Sequence, residues 1–171
     1  MTDAETLRAL ADKQAITELL YRYCRAVDRI DVPLGHSIWH DDAEADYGAD
    51  YYQGPGKQVI DTICRHHAGL VSHSHNVTNV IIDLAGNRAG SEAYVYGTMR
   101  MERDGQLFQL GVWGRYLDSW EKRDDRWGIV RRRVVFDHEE IRPVTPMGRK
   151  SNQAHDRTDP SYAVLFNGGY G

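Results

Sequence analysis

The stretch at residues 90–122, GSEAYVYGTMRMERDGQLFQLGVWGRYLDSWEK, decides the fold. Its first part alternates. Glu92, Tyr94, Tyr96, Thr98 and Arg100 fall on one face, and Ala93, Val95, Gly97, Met99 and Met101 on the other, because successive side chains of a strand point to opposite sides. Asp104-Gly105 ends the run with a strong hairpin signal. The β-type pattern then resumes and continues to Lys122. The same reading extends outward in both directions. Residues 73–84 are β-type and close at Ala85-Gly86-Asn87, and residues 126–142 form a last strand after a turn at Asp124-Asp125. Long consecutive strands joined by tight turns predict an antiparallel sheet.

The chain upstream is helical. Thr2-Asp3-Ala4-Glu5 reads as a capping box. Leu7, Leu10, Ile16, Leu19, Leu20, Tyr23 and Val27 follow at helical spacing. A break is expected near Ala11-Asp12, with Asp12 as a second N-cap, and an end near Ile30-Asp31, ahead of Pro33. Residues 34–39 suit a short helix, 43–47 a short strand, 48–56 a Tyr- and Gly-rich loop, and 57–70 a helix with Val59, Ile60, Ile63 and Cys64 on its apolar face. Helices first and strands after is the α+β pattern. A strongly curved sheet wrapped over the helices leaves a pocket between them. Residues 1–142 read as one domain. Residues 143–171 read as a C-terminal extension packing on it or on a neighbouring subunit, its polar stretch giving way to Ser161-Tyr162-Ala163-Val164-Leu165-Phe166; an unstructured tail is the alternative.

Bulk properties narrow the function. The chain has 171 residues, 41% of them apolar and 27% charged, with a net charge of -4. That suits one globular domain and points away from nucleic acid and from anionic membranes as partners. Arg131-Arg132-Arg133 is too short a basic run to change this. Cys24 and Cys64 lack metal spacing and form no disulfide framework. The polar N-terminus and the lack of a long apolar run predict a cytoplasmic chain.

Asp28 is the residue that suggests chemistry. It ends the first helix close to the apolar stripe, where a carboxylate is costly without a partner. His73, His75, Val77 and Asn79 share one face of a strand, so two imidazoles and an amide converge if that face lines the cavity. Tyr23, five residues before Asp28, borders the same place; its hydroxyl can act as an acid, or it can be a core aromatic. Tyr94 and Tyr96 are candidate pocket walls, with solvated cross-strand pairs as the alternative. One arginine of 131–133 must face opposite to its neighbours and could hold an oxyanion. His66-His67 sit side by side on a helix, which splays their rings. No HExxH, CxxC, phosphate loop or nucleophile elbow is present, so neither a metal nor another cofactor is expected.

Residues 16–28 and Ile38-Trp39-His40-Asp41-Asp42-Ala43-Glu44 resemble the opening of the polyketide-cyclase-like (SnoaL-like) proteins of the nuclear-transport-factor fold. So do His75-Asn76-Val77-Thr78-Asn79, Gly114-Arg115-Tyr116-Leu117-Asp118 and Trp127-Gly128-Ile129. The likeness extends to about Arg142. It implies a conical α+β barrel and, within the superfamily, the branch of scytalone dehydratase, bile acid dehydratase and lindane dehydrochlorinase. For this chain the resemblance implies His75 as general base, Asp28 as its orienting carboxylate, and Tyr23 and Arg132 as groups assisting the leaving group. Tyr47 would be a pocket tyrosine, while His73 departs from the branch. The implied function is a cofactor-independent lyase on a hydrophobic, oxygenated aromatic or polycyclic small molecule, acting by water elimination or retro-aldol-type deformylation. Isomerisation, pure ligand binding, or service as an oxygenase accessory subunit are the rivals. Homo-oligomers, dimers or trimers, are common in such families.

Overall fold

The computed structural model describes residues 2–146, 148–149 and 151–165. Among them are four helices and six strands. Helix α1 spans Asp3–Arg29, and the capping box at Thr2 and Glu5 closes its N-terminus. It runs unbroken through Asp12. That carboxylate caps nothing; it accepts hydrogen bonds from Trp127 Nε1 (2.8 Å) and Lys122 Nζ (3.1 Å), tying the helix to the sheet. Leu7 and Leu10, expected on the buried stripe, are exposed, and burial begins at Ile16. The helix stops where Ile30 turns left-handed (φ 52°). Asp31 then caps the short α2, Val32–Ser37, through the Leu34 amide.

Strand β1 (Trp39–Asp46), the short β2 (Gln53–Pro55) and helix α3 (Gly56–His67) follow. Four long strands complete the sheet: β3 (Ser72–Ala85), β4 (Arg88–Arg103), β5 (Gln106–Arg123) and β6 (Arg126–Pro143). A last turn of helix, α4, spans Ser161–Val164. The order across the sheet is β2-β1-β6-β5-β4-β3. Strands β3 to β6 pair antiparallel, as expected. The sheet as a whole is mixed, however, because β1 lies parallel to β6. Nor is it a closed barrel: β2 and β3 are opposite edges and do not pair.

Curvature takes the place of closure. Helix α1 touches β3 at one edge and also β6 deep in the sheet, so the strands fold over it. Three bulges in the long ladders support the bend: Asp137 and Val130 in β6 each lack an opposite residue in β5, and β3 carries a third near Asn79. The inner faces of the strands and the apolar sides of α1 and α3 form one core around Ile16, Leu20, Ile60, Trp39, Trp120 and Ile129. None of the helices among the described residues is long and apolar enough to cross a membrane.

At the core's centre sits a charge. Arg132 has no exposed surface, whereas Arg131 and Arg133 are exposed. Asp118, its register partner on β5, accepts from Arg132 Nε and Nη2 at 2.7 Å each. The guanidinium lies against the rings of Tyr23 (4.2 Å) and Tyr116 (4.0 Å). Removing one partner of a buried ion pair strands the other charge. Asp118→Ala should therefore cost about 3–5 kcal/mol of stability, measured as the loss in urea unfolding free energy, while Arg131→Ala on the outer face should change it little.

Candidate active site

Asp28 and His75 meet. Asp28 lies in the last turn of α1, and His75 lies near the start of β3, which packs on that helix. Asp28 Oδ1 is 2.7 Å from His75 Nδ1, and its Oδ2 accepts from the His75 backbone amide at 3.0 Å. Both carboxylate oxygens are thus used on one residue. The two side chains are 13% and 12% exposed, so the pair is sheltered without being sealed. With Nδ1 engaged, the imidazole keeps Nε2 for a ligand. Gly97, opposite His75 in the ladder, makes room for the ring: a Cβ there would sit 3.3 Å from His75 Cδ2 and Nε2.

His75 lines a cavity of about 500 Å³, within the range of pockets that take a drug-sized ligand. Val95, Met99, Leu110, Val112 and Val134 make its walls apolar. Tyr23 and Tyr47 line it too, with their hydroxyls 2.6 Å apart. Burial pushes the Tyr23 phenol well above its ordinary pKa, with the neighbouring Tyr47 and Tyr116 adding to it. Burial also raises Tyr47, against the pull of the Arg132 charge. Both therefore stay protonated as donors. Asp50 and Glu139 give the cavity two acidic lining residues.

Other expected site residues stand elsewhere. Tyr94 and Tyr96 are on the outer face of β4, and Val95, Gly97 and Met99 hold the inner one. Tyr96 instead stacks on Trp113, which stacks on His138. Asn79 does not share the His75 face. Its φ is +50°, and the bulge between Thr78 and Ile81 inserts one residue there, so Asn79 is exposed and Val80, Ile82 and Leu84 take over the inner face. His73 does point inward, but onto α1: its Nε2 is 3.2 Å from the Val27 carbonyl oxygen, and it does not line the cavity. Arg132 is one layer back, behind Tyr23 and Tyr116, and does not line the cavity.

The extension packs on the back of the dyad. Gln153 Nε2 donates to the His73 carbonyl (2.9 Å), Arg25 donates to Ser161 Oγ (2.9 Å), and Tyr162 donates to Asp31 (2.8 Å). Arg29 pairs with Asp159 at 3.3 Å. Among the described residues none beyond 143 lines the cavity. Met147, Phe166 and the residues after it lie outside the described residues.

Asp50 and Glu139 were not expected at the cavity, and neither was the buried His67, the last residue of α3. His66 is turned to solvent, but His67 is buried and lines the cavity. Its ring stacks on His75 with centroids 5.3 Å apart and planes 19° apart, and it also touches His73 (4.6 Å). Burial pushes its pKa down to about 3, helped by repulsion from the nearby imidazoles of His75, His73, His66 and His155. The signal available was the adjacent pair itself: of two neighbouring helix residues, one had to turn toward the core. Among the described residues, no group of three or more His, Cys, Asp or Glu is placed to hold a metal.

The fold and this site define an α+β cone with a polar dyad in an apolar cavity. The family model for the SnoaL-like domain matches residues 8–133, and the chain belongs to that family. No curated protein sequence matches significantly. Solved structures do. A scytalone dehydratase-like protein from Novosphingobium aromaticivorans is 22% identical, with a TM-score of 0.69 over 85% of this chain and 99% of its own. The hexachlorocyclohexane dehydrochlorinase LinA-type3 from Novosphingobium barchaimii is 21% identical, with a TM-score of 0.68 over 85% and 99%. Rv3472 from Mycobacterium tuberculosis, of unknown function, is 21% identical, with a TM-score of 0.66 over 81% and 78%. At these identities the likeness shows the fold, and the family includes both enzymes and proteins without known function.

Two outcomes follow from this geometry. Gly97→Ala should leave the fold intact by circular dichroism yet push the His75 ring, lowering ligand affinity in the cavity severalfold by titration. Acid should also act through His67. Between pH 6.5 and about 3 the unfolded chain takes up a proton that folded His67 refuses, so stability falls as pH falls through that window. The urea midpoint should drop less from pH 6.5 to pH 4 in His67→Phe than in the wild type.

Proposed function

We propose that the protein is a cofactor-independent lyase acting on a hydrophobic, oxygenated small molecule, with His75 as general base. The observation that carries this is the bidentate use of Asp28 on His75, through Nδ1 and the backbone amide. That arrangement fixes the tautomer, aims Nε2 away from the helix, and stabilises the imidazolium when it forms, as a carboxylate does in other histidine-based sites. A protein that merely held an apolar ligand would gain nothing from a sheltered carboxylate on a cavity-lining imidazole.

In the default reaction, His75 Nε2 takes a proton from carbon. The freed electron pair forms the carbon–carbon double bond as the neighbouring carbon–oxygen bond breaks. The imidazolium returns its proton to the departing oxygen, which leaves as water, and His75 is neutral again. One hydroxyl of the Tyr23–Tyr47 pair donates to the other, which leaves one hydrogen-bond donor for a substrate oxygen. Arg132 keeps positive potential behind them. The same base permits retro-aldol-type deformylation, if it takes the proton from a hydroxyl, and isomerisation, if it returns the proton to another carbon. The apolar walls select a substrate with a hydrophobic body, such as an aromatic or polycyclic skeleton.

The test is a panel of hydroxylated aromatic and polycyclic ketones, with loss of water followed by mass spectrometry. On any compound turned over, His75→Ala should lower kcat by about 10²–10⁴-fold. Asp28→Asn should also slow it, with secondary structure unchanged in both. Near-normal turnover in both variants would refute the dyad.

A further inference from the structure

His67 has a chemical problem that the fold does not solve. A neutral imidazole carries one donor and one acceptor. Its Nδ1 is buried and has no hydrogen-bond partner. No interaction within the described chain engages Nε2 either, and Nε2 is not among the sealed atoms. By elimination, Nε2 is the nitrogen with open surface, and the residue lines the cavity. Burying a polar ring without partners costs free energy that a phenylalanine or leucine at this helix position would not lose. A ligand atom is the partner this geometry leaves room for.

The stack with His75 decides what His67 can offer. The two rings are nearly parallel, 5.3 Å between centroids, and both line the same cavity. Two positive charges that close repel each other. The Asp28 carboxylate lies on His75 Nδ1, so a positive charge formed during reaction is stabilised on that ring. Among the described residues no carboxylate forms an ion pair with His67, whose ring lies against the imidazoles of His73 and His75 and remains neutral. The low pKa produced by its burial agrees with this. The tautomer that leaves only a lone pair buried at Nδ1 carries its hydrogen on Nε2, toward the cavity.

We propose that His67 is a second catalytic residue: a neutral imidazole whose Nε2–H donates to the substrate oxygen that gains negative charge as His75 removes the proton. No proton leaves His67 in this step. It holds an oxygen whose charge grows, where a preorganised donor in a dry site counts most. Arg132 cannot do this directly, being a layer behind the tyrosines. The catalytic half of the proposal rests on the lyase reading; the donor half does not, and it can be tested without turnover.

The probes are 2-naphthol and naphthalene, equal in shape and differing by one oxygen, titrated into the full-length protein. The wild type should prefer 2-naphthol. His67→Phe keeps a flat ring against His75 and should lose that preference by about tenfold, the effect of one hydrogen bond, with naphthalene affinity unchanged. His67→Gln, which keeps a side-chain donor, should recover part of it. In 15N-histidine NMR the His67 Nε2–H signal should persist from pH 8 to pH 5 and shift when 2-naphthol binds. On a turned-over substrate, His67→Phe should lower kcat more than it raises KM. The proposal is overturned if the wild type shows no naphthol preference, if His67→Phe retains it, or if the His67 signals ignore the probe. Failure of the lyase reading looks different: no compound of the panel is turned over, or His75→Ala keeps turnover, whatever the naphthol preference shows.

Discussion

Arg132 carries a full charge where solvent does not reach, and the elements around it are arranged to make that tolerable. Burial opposes the charged form, but the Asp118 carboxylate and its two 2.7 Å hydrogen bonds outweigh the penalty and hold the guanidinium protonated. Asp118 can do so because β5 and β6 place it directly opposite. Tyr23 from α1 and Tyr116 from β5 cover the faces of the cation, and Trp39 from β1 lies farther out at 5.6 Å. Helix and sheet therefore converge on one side chain. The hydroxyl of Tyr23, its ring held there, meets the Tyr47 hydroxyl just after β1, and both residues line the cavity. The polar floor of the site is a by-product of how the core neutralises its charge.

The imidazoles divide their work by what lies next to each. His75 has Asp28 and a cavity; His73 has a helix carbonyl and, on its other side, His155 of the extension at 4.4 Å. His67 lies against the rings of His73 and His75 and lines the cavity. On the proposed reading, three residues of one type would serve as a base, a structural clamp and a neutral donor, told apart by their surroundings alone. The extension supports this from behind, fastening the last turns of α1 through Arg25, Arg29 and Asp31.

Much of the architecture was legible because periodicity and turn chemistry act locally. The capping box, the end of α1 near Ile30 and the hairpins at Asp104-Gly105 and Asp124-Asp125 are decided by a few neighbouring residues. What was not legible depended on partners far away in the chain. Asp12 looks like a cap in its own neighbourhood, but Trp127 and Lys122 claim it. The parallel pairing of β1 with β6 joins strands some ninety residues apart, and no local pattern marks it. Alternation told the two faces of β4 apart, but which one lines the cavity depended on the sheet's curvature; the small, apolar face went inward. At the site, the Asp28–His75 pairing was legible from a carboxylate in an awkward place. Alternation left open which of Arg131, Arg132 and Arg133 faces inward, and only the family resemblance singled out Arg132; its distance from the cavity depends on two aromatic rings that spacing does not reveal.

The bulge at Asn79 has a consequence for what this strand can carry. It splits β3 into two phases, one carrying His73, His75 and Val77 inward, the other Val80, Ile82 and Leu84. In an unbroken strand the odd- and even-numbered sets would face opposite sides, and only one of them could point inward. Here the joint uncouples them. The extra residue at the joint is therefore what lets one strand give its histidines to the cavity side and its aliphatic side chains to the core on the same face of the sheet.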